Sequence, residues 1–305
     1  MGNVDLKNKV RGLLKKRKAI MLAHNYQRPE IQDAADLCGD SLELSIKAAQ
    51  TDAEVIVFCG VHFMAETASI LSPEKTVLQP RMDAGCPMAD MVTPEALLKK
   101  LDEISPMPVV TYVNSTAAVK ALSTICCTSA NVVKVVNSLD ADEILMVPDK
   151  NLAKYASLHT KKKLHFWDGY CPIHNMLTPE TVLLAKEKHP GAVFMAHPEC
   201  RPEVLELADF VLSTSGMIRH AVESENKSFI VGTEAGILHQ LKKANPSKRF
   251  YPVSPEMECS DMKKITLEDV AVSLENMEGE VKVPGKIRIP AKEAVRRMLD
   301  LSISK

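Results

Sequence analysis

The stretch HNYQRPEIQDAADLCGDS, running from His24 to Ser41, decides how the chain is read, because its frame occurs three times. An apolar run, Ala19 to Ala23, leads into His24-Asn25-Tyr26, and the stretch closes on Ser41. Val109 to Thr111 leads into Tyr112-Val113-Asn114, and Ser129 stands as far beyond Tyr112 as Ser41 stands beyond His24. Ala192 to Ala196 leads into His197-Pro198-Glu199, with Thr214 at that same interval after His197. Each copy runs on to a cysteine. Cys86 and Cys259 are equally far from His24 and His197, and Cys171 is only slightly nearer to Tyr112. At one fixed interval past each cysteine stands a threonine with a glutamate next but one: Thr93/Glu95, Thr178/Glu180 and Thr266/Glu268. The chain is a triplication, and each unit delivers one cysteine at the same place.

Within the first unit, Ala19–Ala23, Leu37–Gly39, Val55–Cys59 and Thr76–Gln79 read as strands. Helical patterns over 29–36, 42–49 and 62–71 separate them. That β-α-β-α-β-α-β alternation predicts a four-stranded parallel sheet covered on both faces. The second and third units repeat it, with helices placed at 130–139 and 217–223 among others. Thr-Pro-Glu after Cys86 and Cys171 is a helix start, since threonine caps, proline suits the first turn and an acid favours the positive helix end. Those helices, and one over 266–277, link one unit to the next. Gly279, Pro284, Gly285 and Pro290 then break the chain before a last helix over 291–301. The expected division is 1–87, 88–172 and 173–260 for the repeats, with a helical extension, 261–305, packing back on them.

The 305 residues carry a net charge of −1, 46% hydrophobic and 4% aromatic residues. Such a balance argues against nucleic acid as a partner. No run approaches the ~20 apolar residues of a membrane span. The opening MGNVDLKNKV lacks the apolar core of a secretion signal, and Leu6 stands where an acylation signal wants serine or threonine. Eight cysteines without such a signal imply a reducing, cytoplasmic setting in which thiols stay free or bind metal.

Ligands of open α/β sheets bind beyond the carboxyl ends of the strands. His24, Tyr26, Tyr112, Asn114, His197 and Glu199 take that position, as do Ser41, Ser129 and Thr214, each expected at a helix N-terminus suited to carboxylate or phosphate. Capping alone explains a hydroxyl at any one such place; recurrence at one offset beside His, Tyr, Asn and Glu points to a site for a small substrate with several negative groups. A lone cysteine is usually a small buried hydrophobe, which covers Cys38, Cys59, Cys126, Cys127 and Cys200. Cys86, Cys171 and Cys259 are equivalents in loops after the fourth strands, and three thiolates fit either zinc with one open position or an iron–sulfur cluster. His174, in the turn just past Cys171, is a supporting candidate; His165 and His239 read as structural. Glu199, desolvated beside substrate, is expected to have a raised pKa.

The segments AHNYQRPEIQDAAD (23–36), GDSLEL (39–44), CGVHFMAETASIL (59–71), CPMAD (86–90), VVTYVNSTAAVKA (109–121), CTSANVVKVV (127–136), PDKNLAKY (148–155), GYCPIH (169–174), AHPEC (196–200), STSGMI (213–218), GTEAGILHQL (232–241) and MECSDMKKITLEDV (257–270) resemble the quinolinate synthase family, in order and over nearly the whole chain. The resemblance implies a triangular protein of three pseudo-threefold-related α/β/α domains around a central active site. It implies one [4Fe-4S] cluster per chain, held by Cys86, Cys171 and Cys259. It further implies condensation of iminoaspartate (iminosuccinate) with dihydroxyacetone phosphate to quinolinate, phosphate and water, in de novo NAD biosynthesis. An open iron would act as Lewis acid, and an aspartate oxidase or dehydrogenase would supply the iminoaspartate. Carried over position by position, His24, Ser41, Tyr112, Asn114, Ser129, His197, Glu199 and Thr214 contact substrate, and Tyr26 and Glu199 do acid–base work, with His174 and His197 assisting. The CxxCxxC run that some members carry near the C-terminus is reduced here to Cys259.

Two other readings keep the three-cysteine plan. The enzymes of diphthamide synthesis resemble it too, but act on a protein substrate, whereas the hydroxyls at helix starts favour a small anion. A structural zinc site or nucleotide-binding module leaves His24, Tyr26 and Glu199 without a role.

Overall fold

Apolar runs that end at turn or helix-start residues form twelve strands in the computed structural model, which describes residues 3–303. Readings that touch residues 1–2 and 304–305, among them the lipid-anchor reading and the outer limits of the first unit and the C-terminal extension, lie outside the described residues. The strands are β1 (Ala19–His24), β2 (Leu37–Gly39), β3 (Val55–Cys59) and β4 (Thr76–Leu78), then β5 (Val109–Tyr112), β6 (Ile125–Cys127), β7 (Glu143–Val147) and β8 (Lys163–Phe166). The last four are β9 (Val193–Ala196), β10 (Phe210–Val211), β11 (Ser228–Gly232) and β12 (Arg249–Pro252). They make three four-stranded sheets of the same order, β2-β1-β3-β4, β6-β5-β7-β8 and β10-β9-β11-β12. Every pairing within the three sheets is parallel. The fold is thus α/β with three equivalent parallel sheets.

Alternate side chains of each central strand point to opposite faces, and both faces are buried. Met21, Val57, Val109, Leu145, Phe194 and Ile230 enter three separate outer cores. Leu22, Ile56, Val110, Ile144, Met195 and Phe229 enter one common inner core. The outer cores are completed in a cyclic manner. Helix Pro94–Glu103, which follows Cys86, buries Leu97 against the second sheet; helix Pro179–Lys188, which follows Cys171, buries Val182 against the third. Helix Leu267–Asn276, which follows Cys259, returns to bury Leu267, Val270 and Leu274 on the first, beside Leu6, Val10 and Leu14 of helix Asn3–Lys16. Thr93, Thr178 and Thr266 cap these three helices by accepting the amides of Ala96, Thr181 and Asp269.

Beyond the third linking helix the chain runs antiparallel along β4, where Gln79 donates to the Gly279 carbonyl and Val281 to that of Val77. Here the structure differs from the sequence reading: the last helix is Gly285–Ile303, not 291–301, and it continues through Pro290. Proline removes one hydrogen bond and crowds the preceding turn, but Pro290 lies near the helix start and is exposed together with Lys286 and Ile289, so the carbonyl left over is not in the core. Val283 and Ala291 fix this segment against Ile70 and Ala117.

Gly279 has φ +84°, and a Cβ there would lie 2.3 Å from the Gln79 carbonyl oxygen. Gly279→Ala is expected to cost about 1–3 kcal/mol and to raise hydrogen exchange at Gln79 and Val281 before the sheet cores exchange. Wild-type protection at those two amides would show that the contact is dispensable.

Candidate active site

Each of the three equivalent cysteines opens a single helical turn. Cys86 and Cys171 are the N-caps of helices Pro87–Asp90 and Pro172–Asn175, and after Cys259 the Lys263 amide bonds back to the Cys259 carbonyl. The loops of the sequence reading are therefore turns that aim backbone N–H groups at sulfur: those of Met88 and Ala89 at Cys86, His174 at Cys171, and Asp261 and Met262 at Cys259. Such donors favour charge on sulfur, while burial disfavours it. Burial prevails: the Cys86 thiol is pushed up to about 12, and those of Cys171 and Cys259 also rise. The other five cysteines pack into the cores as small hydrophobes.

All three cysteines face one cavity that holds about 960 Å³ of empty space, its open mouth included. His24, Tyr26, Ser41, Tyr112, Asn114, Ser129, His174, His197, Glu199 and Thr214 line the same cavity, so the site residues expected from the sequence come together. His62, His165 and His239 do not; their rings bond Gln79, Glu143 and Asp33.

Glu199 is the centre of the polar wall. Its Oε2 lies 2.6 Å from His174 Nδ1 and 3.6 Å from His197 Nδ1, and Tyr112 also bonds its carboxylate. The Asn151 side chain donates to its backbone carbonyl at 3.1 Å. Burial alone would raise its pKa, as the sequence reading expected. The structure reverses the sign, because His174 and Tyr112 bond the carboxylate and hold the carboxyl below its ordinary range despite desolvation. Tyr26 and Tyr112 move the other way: burial and the neighbouring Glu199 charge push both phenols well above 10, so both stay protonated. Burial lowers His24 and His197 to about 3. Each of these neutral rings accepts an amide N–H at Nδ1, from Tyr26 and Glu199 respectively, which leaves its proton on Nε2.

Capping at the helix starts falls to neighbours of the predicted hydroxyls. Asp40 caps helix Ser41–Gln50 in a capping box with Glu43, and Ser213 caps helix Thr214–Glu223. Ser41 and Thr214 thus occupy the first helical position, and Thr214 Oγ1 accepts from Asn25 Nδ2 at 3.0 Å. Ser129 departs from the expectation: its helix starts only at Val132, because Asn131 takes the Thr128 amide and forms a turn first.

Two buried acids at the site were missed. Asp149 accepts the Cys171 amide at 3.1 Å, and Glu234 accepts the Cys259 amide at 3.2 Å while pairing with Lys263 at 2.8 Å. Asp149 stands as far beyond its repeat's anchor, Tyr112, as Glu234 stands beyond His197. That shared offset was a legible signal, masked by Val61 at the matching place in the first repeat.

A three-lobed α/β protein with one cysteine per lobe and an acid–base cluster in a shared cavity is the class that this geometry defines. The family model described as Quinolinate synthetase A protein matches residues 8–300, and the chain belongs to that family. It is 57% identical over 295 residues to "Quinolinate synthase" of Geotalea uraniireducens (strain Rf4), with 97% of each chain covered. It is 58% identical over 299 residues to the protein of the same name from Geobacter sp. (strain M21), covering 98% of each. "Quinolinate synthase 1" of Methanosarcina acetivorans is 56% identical over 304 residues, covering 99% of this chain and all of that one.

Unfolding exposes His24 and His197, which then take up protons near the ordinary histidine pKa of 6.5 that the fold refuses until about 3. Their contribution to stability is present above about pH 6.5 and is lost as pH falls through that window. His24→Asn keeps an acceptor for the Tyr26 amide, and should flatten unfolding free energy against pH by about 1.4 kcal/mol per pH unit between 6 and 4. An unchanged slope would refute the neutral assignment.

Proposed function

We propose that this enzyme condenses iminoaspartate (iminosuccinate) with dihydroxyacetone phosphate to give quinolinate, phosphate and water, in de novo NAD biosynthesis. The observation that carries the reading is the meeting of Cys86, Cys171 and Cys259 with the Glu199–His174–Tyr26 wall in one cavity. An ionised Glu199 is the base, and the protonated Tyr26 the acid, for the proton transfers that condensation and dehydration require. His24 and His197 present neutral Nε2–H donors to substrate oxygen. Ser41 and Thr214 offer hydroxyls and free amides at helix starts to carboxylate or phosphate. Glu199 Oε1 and Asn114 Oδ1 are buried and take no hydrogen bond from the protein. A buried acceptor without a donor costs about 1–3 kcal/mol, so the pair fits a substrate that brings N–H or O–H groups.

The donor set also fits a [4Fe-4S] cluster held by Cys86, Cys171 and Cys259, which reach the one cavity from turns that aim backbone N–H groups at each sulfur. When bound, such a cluster supplies an iron open to substrate oxygen as a Lewis acid. A single tetrahedral zinc would draw three sulfurs to roughly 3.8 Å from one another, and the three are not a set whose members all lie within 4.8 Å. Among the described residues that set is Cys171, His174 and Glu199. This favours, as a second reading, one ion on those three groups. The reading divides the chain at 87/88, 172/173 and 260/261. It places the chain in the cytoplasm, functionally coupled to an aspartate oxidase or dehydrogenase that makes the unstable imine; no helix of the described residues is long and apolar enough to cross a membrane.

Protein purified without oxygen is expected to carry about four irons and four acid-labile sulfides per chain. Cys86→Ala, Cys171→Ala and Cys259→Ala should lose them, and Cys127→Ala keep them. One zinc retained in Cys86→Ala would favour the second reading. Tyr26→Phe and Glu199→Gln should keep the iron but lose about 10²-fold or more in quinolinate formation; wild-type rates would remove both assignments.

A further inference from the structure

Thr233 follows β11 directly, and the repeat does not mark it, since Gly60 and Pro148 hold the matching places. It is buried, at 1% exposure, and is not among the residues that line the cavity. Its Oγ1 lies 2.5 Å from Tyr26 Oη and 2.8 Å from His174 Nε2, while His174 Nδ1 lies 2.6 Å from Glu199 Oε2. One hydroxyl therefore stands between the two groups assigned as acid and base.

The inventory of donors orders this chain. A carboxylate only accepts, so His174 directs its Nδ1 proton to Glu199. With Nδ1 turned to Glu199 and to Cys171 Sγ at 3.2 Å, Nε2 is the ring atom that meets the Thr233 hydroxyl. The Thr233 oxygen keeps lone pairs free and accepts from the Tyr26 phenol. Each bond in the series depends on the next. The sides of the series are closed by ring contacts, His24 edge-on to Tyr26 at 4.6 Å and His197 stacked on His174 at 4.7 Å.

We propose that Thr233 is a positioning residue of this reaction: its hydroxyl joins Tyr26 to His174, and through that ring to Glu199, in one hydrogen-bond series, fixes the phenol oxygen at the cavity wall and holds the His174 ring with Nδ1 towards Glu199. The proposal rests on the assignment of Tyr26 and Glu199 made above.

Thr233→Val has the same shape without the hydroxyl, and Thr233→Ser keeps the hydroxyl without the methyl. In the cluster-loaded enzyme the valine variant should retain wild-type iron and sulfide, with KM for both substrates within about twofold. Its kcat should fall by about 5- to 150-fold, the range of one lost buried hydrogen bond. Serine should restore most of it. Wild-type kcat in the valine variant, or equal losses in valine and serine, overturns the proposal. Thr233→Ala is the alternative hydroxyl-free variant if valine does not fold. A crystal structure of the hydroxyl-free variant gives a readout apart from turnover: the Tyr26 and His174 rings should leave their wild-type positions, and rings that stay put overturn the role. If wild type itself makes no quinolinate, the functional assignment fails, while the crystal structure still decides whether Thr233 positions the pair.

Discussion

Each of the three sheets depends on a linking helix that covers its outer face. A four-stranded sheet with two apolar faces cannot remain in water, and the helix that completes each outer core follows the cysteine of the preceding repeat. Leu97, Val182 and Leu274 are fully buried at these seams, and each such side chain is worth about 1.5–3 kcal/mol. The third helix returns to the first sheet, so the ring closes and no repeat is left with an open face. The other faces share a single inner core. Strand ends from three repeats consequently line one cavity, and a cysteine turn from each reaches it.

Closure also sets the chemistry by excluding water. Burial pushes phenols and thiols up and imidazoles down, so it opposes charge everywhere in the cavity. Glu199 escapes that trend, because His174 and Tyr112 both bond its carboxylate. The wall therefore holds an ionised Glu199 beside protonated Tyr26 and Tyr112 and neutral His24 and His197. The thiols, raised by the same burial, are poorly suited to use as free nucleophiles.

Departures from the sequence reading had long-range and local causes. The sign of the Glu199 shift depends on His174, which lies in the turn that follows Cys171. The segment that carries Pro290 is pinned by Val283 and Ala291 to helices of two repeats. Ser129 lost its helix start to a local turn made by Asn131, the one case in which a nearer residue could have given warning. Asp149 and Glu234 shared an offset all along, but a pattern present in two of three repeats passes for chance.

The sequence by itself determined the triplication, the parallel sheets, the equivalence of Cys86, Cys171 and Cys259, and most of the residues that meet in the site. Those are matters of period and offset, which a linear chain displays directly. Only the tertiary structure decided which groups carry charge, that Asp40 and Ser213 take the capping away from Ser41 and Thr214, and that Thr233 stands between Tyr26 and His174. Protonation and hydrogen-bond direction are set by distance and desolvation, and residues 207 positions apart, as Tyr26 and Thr233 are, acquire a distance only when the ring of lobes closes.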